Sequence, residues 1–273
     1  PFLGCEALDI TEIKGADDLY HAQGIIHKSE ENATHLFGAR KTFYATGGSS
    51  QCIGAMVYLA MLHGKKGQPI LAARNAHKAF LHACALLDLD VKWVYPQGEA
   101  TLCSCPISPK QLEHILRSME VLPFAFYMTS PDYLGGMADI QGLSAVCRKF
   151  GIPLLVDNAH GAYLRFLPEA LHPLDLGADM CCDSAHKTLP VLTGGAYLHV
   201  GTKALASFEE DGKNALALFG STSPSYLILQ SLDLCNRILA EGYGDKIHHC
   251  VRRIAQLAEG LGIWAIPYSI LSR

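Results

Sequence analysis

Two short segments of the chain end in side chains that could carry out chemistry together. Residues 152–156 (IPLLV) form an apolar run, typical of a buried parallel strand, that stops at Asp157. A second apolar stretch, residues 178–182, is followed by Asp-Ser-Ala-His and then Lys187. Pyridoxal 5'-phosphate (PLP) needs such a pair. The lysine forms a Schiff base with the cofactor aldehyde, and the carboxylate keeps the pyridine nitrogen protonated, so that the ring accepts electrons.

Each of these two side chains also has an ordinary structural explanation. An Asp at a strand end often caps the following helix, and a Lys after a His is often a surface residue. The combination is harder to explain in this way, because His160, Ser184 and His186 lie in the same two segments. The sequence therefore favours a PLP site centred on Asp157 and Lys187.

The composition limits the class of protein. The chain has 273 residues, of which 49% are hydrophobic and 18% charged, so a large core is expected and disorder is not. A net charge of −4 without a long basic run argues against a nucleic-acid partner. No apolar stretch reaches the roughly 20 residues of a membrane span, and residues 1–6 (PFLGCE) lack the pattern of a signal peptide.

The cysteines indicate the compartment. Most of the ten lie within apolar runs, where they behave as small core residues in a reducing environment, so the cytoplasm is the predicted location. Cys103 and Cys105 form a close pair of the Cys-x-Cys type. Because a second pair of the CxxC type is absent, we interpret them as structural and predict no metal.

The elements that must hold the candidate side chains alternate regularly. Short β-rich or apolar runs are followed by helical patterns of about 10–14 residues, which predicts a doubly wound, mostly parallel sheet in a three-layer α/β/α fold. Residues 195–200 (GAYLHV) follow the lysine segment too closely for a parallel crossover, so we expect one antiparallel strand there. Helices are expected, among others, over residues 30–38, 52–62, 202–218 and 226–240.

The expected domain organisation has three parts. Residues 1–30 are polar and irregular and are predicted to form an N-terminal arm. Residues 31–262 would form the large PLP-binding domain, and residues 263–273 would begin a truncated C-terminal small domain.

In parallel sheets of this kind, ligands bind beyond the carboxyl ends of the strands. Five predicted strand ends carry small or polar residues that could form one site, which is stronger evidence than any one of them alone. They are Gly47–Ser50, His77, Thr129–Ser130, Asp157–His160 and Ser184–Lys187.

Two of these strand ends leave an alternative open. Gly47, Gly48, Ser49 and Ser50 could hold a phosphate at the start of a helix, because glycines let the backbone approach an anion closely. The same residues could form an ordinary strand-to-helix turn with a serine cap. His77 could stack on an aromatic cofactor, or it could cap the next helix.

Three segments resemble the ornithine/lysine/arginine decarboxylase family, PLP enzymes of the aspartate aminotransferase fold type. They are residues 156–162 (VDNAHGA), 184–190 (SAHKTLP) and 222–226 (TSPSY). The resemblance covers nearly the whole chain as the large domain of that family. It implies decarboxylation of lysine, arginine or ornithine to a polyamine-pathway amine, by a homodimer or a higher oligomer with its site at the subunit interface.

The resemblance also implies a role for each candidate residue. Lys187 would carry the cofactor, Asp157 would pair with the pyridine nitrogen, and His77 and Ala159 would pack on the two ring faces. His160 would lie near the phenolic oxygen of the cofactor or the substrate carboxylate. The phosphate would be held by the turn at Gly48, by Ser49, Ser50, Ser184 and His186, and by Thr222 of the other subunit.

The chain departs from the pattern of the family at two places near the site. The phosphate turn reads Gly-Gly-Ser-Ser, where Gly-Thr-Ser-Thr is usual, and Asn158 stands where Glu is usual. The small domain of the family is also nearly absent. Two other functions therefore stay open: another PLP reaction, such as transamination or a lyase reaction, and a non-catalytic partner subunit that binds PLP.

Overall fold

A sheet of seven strands forms the centre of the computed structural model, which describes residues 4–98 and 101–261. The strands are β1 (Lys41–Ala45), β2 (Ile70–Ala73), β3 (Val91–Val94), β4 (Ala125–Thr129), β5 (Leu154–Asp157), β6 (Met180–Asp183) and β7 (Ala196–Val200). Across the sheet their order is β1-β7-β6-β5-β4-β2-β3.

Neighbouring strands are parallel except at β7, which is antiparallel to both of its neighbours. Val200 of β7 lies opposite Met180 of β6 on one side and opposite Lys41 of β1 on the other. The segment between Lys187 and β7 is too short to cross the sheet, so β7 must run back beside β6. The predicted mostly parallel α/β sheet with one antiparallel strand is confirmed.

Helices cover both faces of the sheet. They are α1 (Ile25–Phe37), α2 (Gly48–His63), α3 (Lys78–Leu86), α4 (Pro109–Ser118), α5 (Ile140–Phe150), α6 (Ala185–Thr188), α7 (Ala206–Glu210), α8 (Gly212–Phe219), α9 (Tyr226–Ala240) and α10 (Tyr243–Gly260). Helices α2, α3, α7 and α8 pack on one face, and α4 and α5, with α1 and α9 beside them, pack on the other. Within the described ranges, none of these helices is both long and apolar enough to span a bilayer.

The central strands are apolar throughout because both of their faces are buried. In β2, Ile70 and Ala72 enter the core on one face, whereas Leu71 and Ala73 enter the core on the other. Residues 263–273, the predicted start of a small domain, lie outside the described residues.

Three helices differ from their expected boundaries. Helix α1 begins at Ile25 rather than near residue 30, although it ends as expected before Gly38, which takes the left-handed conformation at φ +63°. Helix α2 begins at Gly48 rather than Cys52, so the glycine and serine turn forms its first turn. The helix expected over residues 202–218 is two helices, α7 and α8.

A buried ion pair ties α1 to α8. The Glu30 carboxylate, which has no exposed surface, accepts hydrogen bonds from Lys213 Nζ at 2.5 Å and from Tyr44 N at 2.8 Å. Burial raises the pKa of Glu30 and lowers the pKa of Lys213, because it outweighs their mutual attraction. Such a pair adds little net stability, but either charge left alone is costly.

We therefore expect Lys213→Ala to lower the free energy of unfolding by about 3 kcal/mol. Urea denaturation measures this loss. Lys149→Ala is the matched control, since the exposed Lys149 pairs at 2.7 Å with the half-exposed Glu113, and it should leave the urea midpoint unchanged. Equal losses of unfolding free energy in both variants would show that burial of the Glu30–Lys213 pair does not increase its importance for stability.

Candidate active site

A cleft of about 330 Å³ opens at the carboxyl edge of the parallel strands, a volume typical of small-molecule sites. Ten of the eleven predicted site residues line it: Gly48, Ser49, Ser50, His77, Asp157, Ala159, His160, Ser184, His186 and Lys187. The eleventh, Thr222, lies on an exposed loop and does not contribute to the lining. The structure thus brings together predicted residues from four separate segments.

Five further residues line the cleft: Gly47, Thr129, Tyr133, Thr193 and Gly194. Thr129 lies at a strand end that the sequence had already indicated, and Gly47 belongs to the glycine turn. Tyr133, Thr193 and Gly194 come from loops without a recognisable pattern, so sequence reasoning did not select them.

One end of the cleft is suited to an anion. The first N–H groups of α2 have no partner within the helix, which makes the start of the helix electropositive. Gly48, at φ +71°, donates its N–H to Gly194 O at 2.7 Å, and this contact holds the turn against the lysine loop. Ser184 Oγ donates to Ser49 Oγ at 2.8 Å, so two hydroxyls from different elements meet here.

His186 stands beside this anion site in a fixed orientation. Its Nδ1 donates to the carbonyl of Gly195 at 3.1 Å, which leaves Nε2 as the ring nitrogen free to interact with a ligand. An added Cβ at Gly48 would come within 3.8 Å of the His186 ring, so the two residues are in contact range across the cleft.

Lys187 lies on the short helix α6, directly after β6. Its Nζ lies 3.1 Å from His160 Nε2, and the His160 ring meets Tyr133 edge-on with 4.9 Å between the ring centroids. Burial, and then the nearby Lys187 charge, lower the pKa of His160. His160 is therefore neutral at pH 7, and its Nε2 can accept a hydrogen bond from the Lys187 ammonium.

Asp157 forms the floor of the cleft at the end of β5 and is 2% exposed. Its carboxylate accepts hydrogen bonds from Tyr127 OH at 3.2 Å and from Ala159 N at 3.1 Å. Burial raises the pKa of Asp157, and these contacts do not offset the effect. In the part of the chain that the structure describes, no cationic side chain forms an ion pair with Asp157, so a protonated ligand nitrogen would be stabilised there.

The neighbouring strand end carries a second buried carboxylate, whose pKa is shifted in the opposite direction to that of Asp157. Asp183 accepts hydrogen bonds from Asn158 Nδ2 at 2.6 Å, His172 Nε2 at 3.0 Å and His199 Nε2 at 3.2 Å. Burial alone would raise the pKa of Asp183, but His172 and His199 outweigh it and hold that pKa well below its usual range. The protein thus satisfies Asp183 and leaves Asp157 open to a ligand.

His77 caps α3, since its Nδ1 accepts a hydrogen bond from Ala79 N at 3.2 Å. The capping alternative is therefore present, and the same ring also lines the cleft. Burial lowers the pKa of His77, so the face that it presents to the cleft is uncharged at neutral pH.

The cleft fits PLP in its chemistry. It offers an amine at Lys187, a buried carboxylate without a cation at Asp157, and a glycine turn for a phosphate at the start of α2. Thr129 Oγ1 is also buried on the wall of the cleft and has no hydrogen-bond partner among residues 4–98 and 101–261. A polar group of a ligand could form the missing hydrogen bond with Thr129 Oγ1.

Comparison with known proteins shows to which family the chain is similar. The model of the Orn/Lys/Arg decarboxylase major domain matches residues 2–265. An uncharacterised Bacillus subtilis protein, YaaO, is 34% identical over 256 residues, which are 92% of this chain and 52% of YaaO. An arginine decarboxylase of Halalkalibacterium halodurans is 30% identical over 282 residues, covering 99% of this chain and 55% of that enzyme.

Among solved structures, the constitutive lysine decarboxylase of E. coli superposes with a TM-score of 0.76 at 20% identity. The match covers 95% of this chain and 39% of the enzyme, and at this identity it shows a shared fold. The chain spans about half the length of the curated relatives that it matches.

Proposed function

The chain belongs to the Orn/Lys/Arg decarboxylase family, and on this premise we propose that it takes part in the PLP-dependent decarboxylation of a basic amino acid. The relatives named above include an arginine and a lysine decarboxylase, and family enzymes use PLP. We propose arginine, lysine or ornithine as the substrate and the corresponding polyamine-pathway amine as the product.

One observation carries the proposal. A single cleft combines an accessible lysine amine, a buried carboxylate without a protein cation, and the start of a helix opened by glycine. The amine and the carboxylate match the two reactive parts of PLP, and the helix start matches its phosphate.

Each end of PLP would have its own set of residues. Lys187 would hold it covalently through its amine, and Asp157 would face the ring nitrogen between His77 and Ala159. Gly48, Ser49, Ser50, Ser184 and His186 would surround the phosphate. Bound in this way, PLP would supply a ring that takes up the electrons released when carbon dioxide leaves.

The side chains of the protein prepare this site. Tyr127 and Ala159 fix the Asp157 carboxylate by hydrogen bonds, so it can hold a proton on a nitrogen in front of it. His160 is neutral, and its Nε2 can accept a hydrogen bond from Lys187 Nζ, which holds the amine in the cleft.

We also propose a cytoplasmic homodimer with the cleft at its interface. Thr222 is exposed and lies apart from the cleft of its own chain, which leaves its hydroxyl available to a second subunit. All ten cysteines are free, as expected in a reducing compartment. In this proposal residues 31–262 are the large domain and residues 1–30 an arm that contacts it.

The proposal is tested by product analysis. The full chain is incubated with saturating PLP and, in turn, L-arginine, L-lysine and L-ornithine, and carbon dioxide and the amine are quantified. We expect one of the three to be converted to its amine. Release of carbon dioxide from none of them would refute the proposal, and formation of an oxo acid instead would favour transamination.

A further inference from the structure

Asn158 and Asp183 join the two strand ends on which the site is built. Asn158 directly follows Asp157, and Asp183 directly precedes Ser184. Asn158 Nδ2 donates to Asp183 Oδ1 at 2.6 Å, and Asn158 N donates to the carbonyl of Cys182 at 3.0 Å. Neither Asn158 nor Asp183 has any exposed surface, so this double link cannot be replaced by bulk water.

The other oxygen of Asp183 is held by two histidines. His172 Nδ1 accepts a hydrogen bond from Leu174 N at 3.4 Å, so its proton is on Nε2 and is donated to Asp183 Oδ2. His199 Nδ1 lies 2.8 Å from Thr42 Oγ1, whose hydroxyl can donate to it, and this leaves the His199 Nε2 proton for the same oxygen. Asp183 thus receives three donors and remains ionised.

These side chains also include the donor types of a metal site, since ligand atoms of His172, Cys181 and Asp183 lie within 4.8 Å of one another. Coordination through His172 Nε2 would require its proton on Nδ1, where the Leu174 N–H already points. Burial raises the pKa of Cys181 well above its usual value, so it remains a neutral thiol. The Asp183 carboxylate in this cluster is therefore held by hydrogen bonds from protein groups and not by a metal ion.

We propose that Asp183 is a positioning residue, which anchors Asn158 and thereby holds Asp157 in the orientation that a protonated cofactor nitrogen requires. This inference rests on the proposed PLP function. It also gives a reason for an amide rather than a carboxylate at position 158. A second carboxylate there would lie within hydrogen-bond distance of Asp183 Oδ1, and like charges so close in a buried site cannot both stay ionised.

Asn158→Asp tests the pair with almost no change in shape. It removes the Nδ2 donor and places two carboxylates together, so one must take up a proton or the strand ends must separate. We expect PLP affinity at pH 7.5 to fall at least about tenfold, which corresponds to about 1.4 kcal/mol. PLP binding is followed by absorption titration, and thermal unfolding is recorded for the cofactor-free proteins.

The double variant N158D/D183N exchanges the two groups. The new amide at position 183 can donate to the new carboxylate at position 158, and its oxygen can accept from both histidines. We expect this variant to recover most of the PLP affinity and unfolding temperature lost in N158D. D179N is the matched control, since Asp179 accepts from Leu154 N at 2.8 Å on the same strand pair, outside the cleft. D179N should keep the PLP affinity of the wild type.

Each outcome decides a different point. Unchanged PLP affinity in N158D, or a double variant no better than N158D, would overturn the positioning role. A loss of unfolding temperature with unchanged PLP affinity would show that the pair is only structural, which also overturns it. A wild-type chain that binds no PLP would instead overturn the proposed function, and the unfolding temperatures would still report whether the two side chains are coupled.

Discussion

Lys187→Ala is expected to lower decarboxylation by at least about 10³-fold and to remove the visible absorption band of the protein-bound cofactor. Lys187 is the lysine that lines the cleft, and its amine is the group that can bind PLP covalently. Without it, PLP would be held only by its phosphate and ring contacts. Absorption spectra with added PLP and carbon dioxide release measure the two effects.

Two controls make the result specific. Lys78→Ala changes a lysine next to the capping residue His77, at the start of α3, and should keep both the band and the activity. Borohydride reduction of the wild type, followed by peptide mass analysis, should place the cofactor on Lys187. A Lys187→Ala protein that keeps the same band would remove Lys187 from the site.

Asp157→Asn is expected to have two opposite effects. With PLP, decarboxylation should fall by roughly 10²- to 10⁴-fold, because an amide does not stabilise a proton on the ring nitrogen. Without PLP, the variant should unfold at a higher temperature than the wild type at pH 7. The reason is that ionised Asp157 is buried without a cation and costs stability in the cofactor-free protein.

The stability difference should depend on pH in one direction. Burial places the pKa of folded Asp157 above the unfolded value of about 3.9, so the folded state binds the extra proton between the two values. The loss of stability caused by ionised Asp157 is therefore absent below about pH 3.9. It grows as the pH rises to the pKa of folded Asp157 and is constant above that pKa. The advantage of Asp157→Asn should shrink on acidification, and an advantage independent of pH would contradict this explanation.

The sequence predicted the order of elements well because buried strands and amphipathic helices have different periods. Residues 41–45 and 226–240 match β1 and α9 at both ends. The start of α1 could not be predicted in this way. The Asp17 carboxylate accepts hydrogen bonds from the N–H groups of Gly24 and Ile26, so this cap comes from the preceding loop rather than from the residue directly before the helix.

The start of α2 was missed for a related reason. Two glycines have low helix propensity, so Gly47 and Gly48 predict a turn. In the fold, Gly48 is held by the carbonyl of Gly194, which lies far away in sequence, and the helix begins there. Local propensity alone predicts a turn in this segment, whereas the long-range contact with Gly194 lets the helix begin there.

The candidate site likewise contains residues that the sequence predicts and residues that it does not. Asp157 and Lys187 could be selected because each follows an apolar run and has a chemistry that strand ends can use. His172 and His199 carry no such signal, since one lies in a loop and the other within β7. They come together at Asp183 once β6 and β7 are paired. Networks that depend on non-local pairing leave no pattern in a single sequence.

The position of β1 at the edge of the sheet has a consequence for the order of assembly. In the sheet that the structure describes, β1 hydrogen-bonds only to β7, and Lys41 finds its partner at Val200. Contacts between such distant residues form slowly and late. A nascent chain that has emerged from the ribosome only as far as Lys187 would contain every residue of the cleft except Thr193 and Gly194, and its anion site would lack the Gly194 carbonyl that accepts the hydrogen bond from Gly48 N. The anion site would therefore be completed only after Gly194 and the following strand β7 have been synthesised.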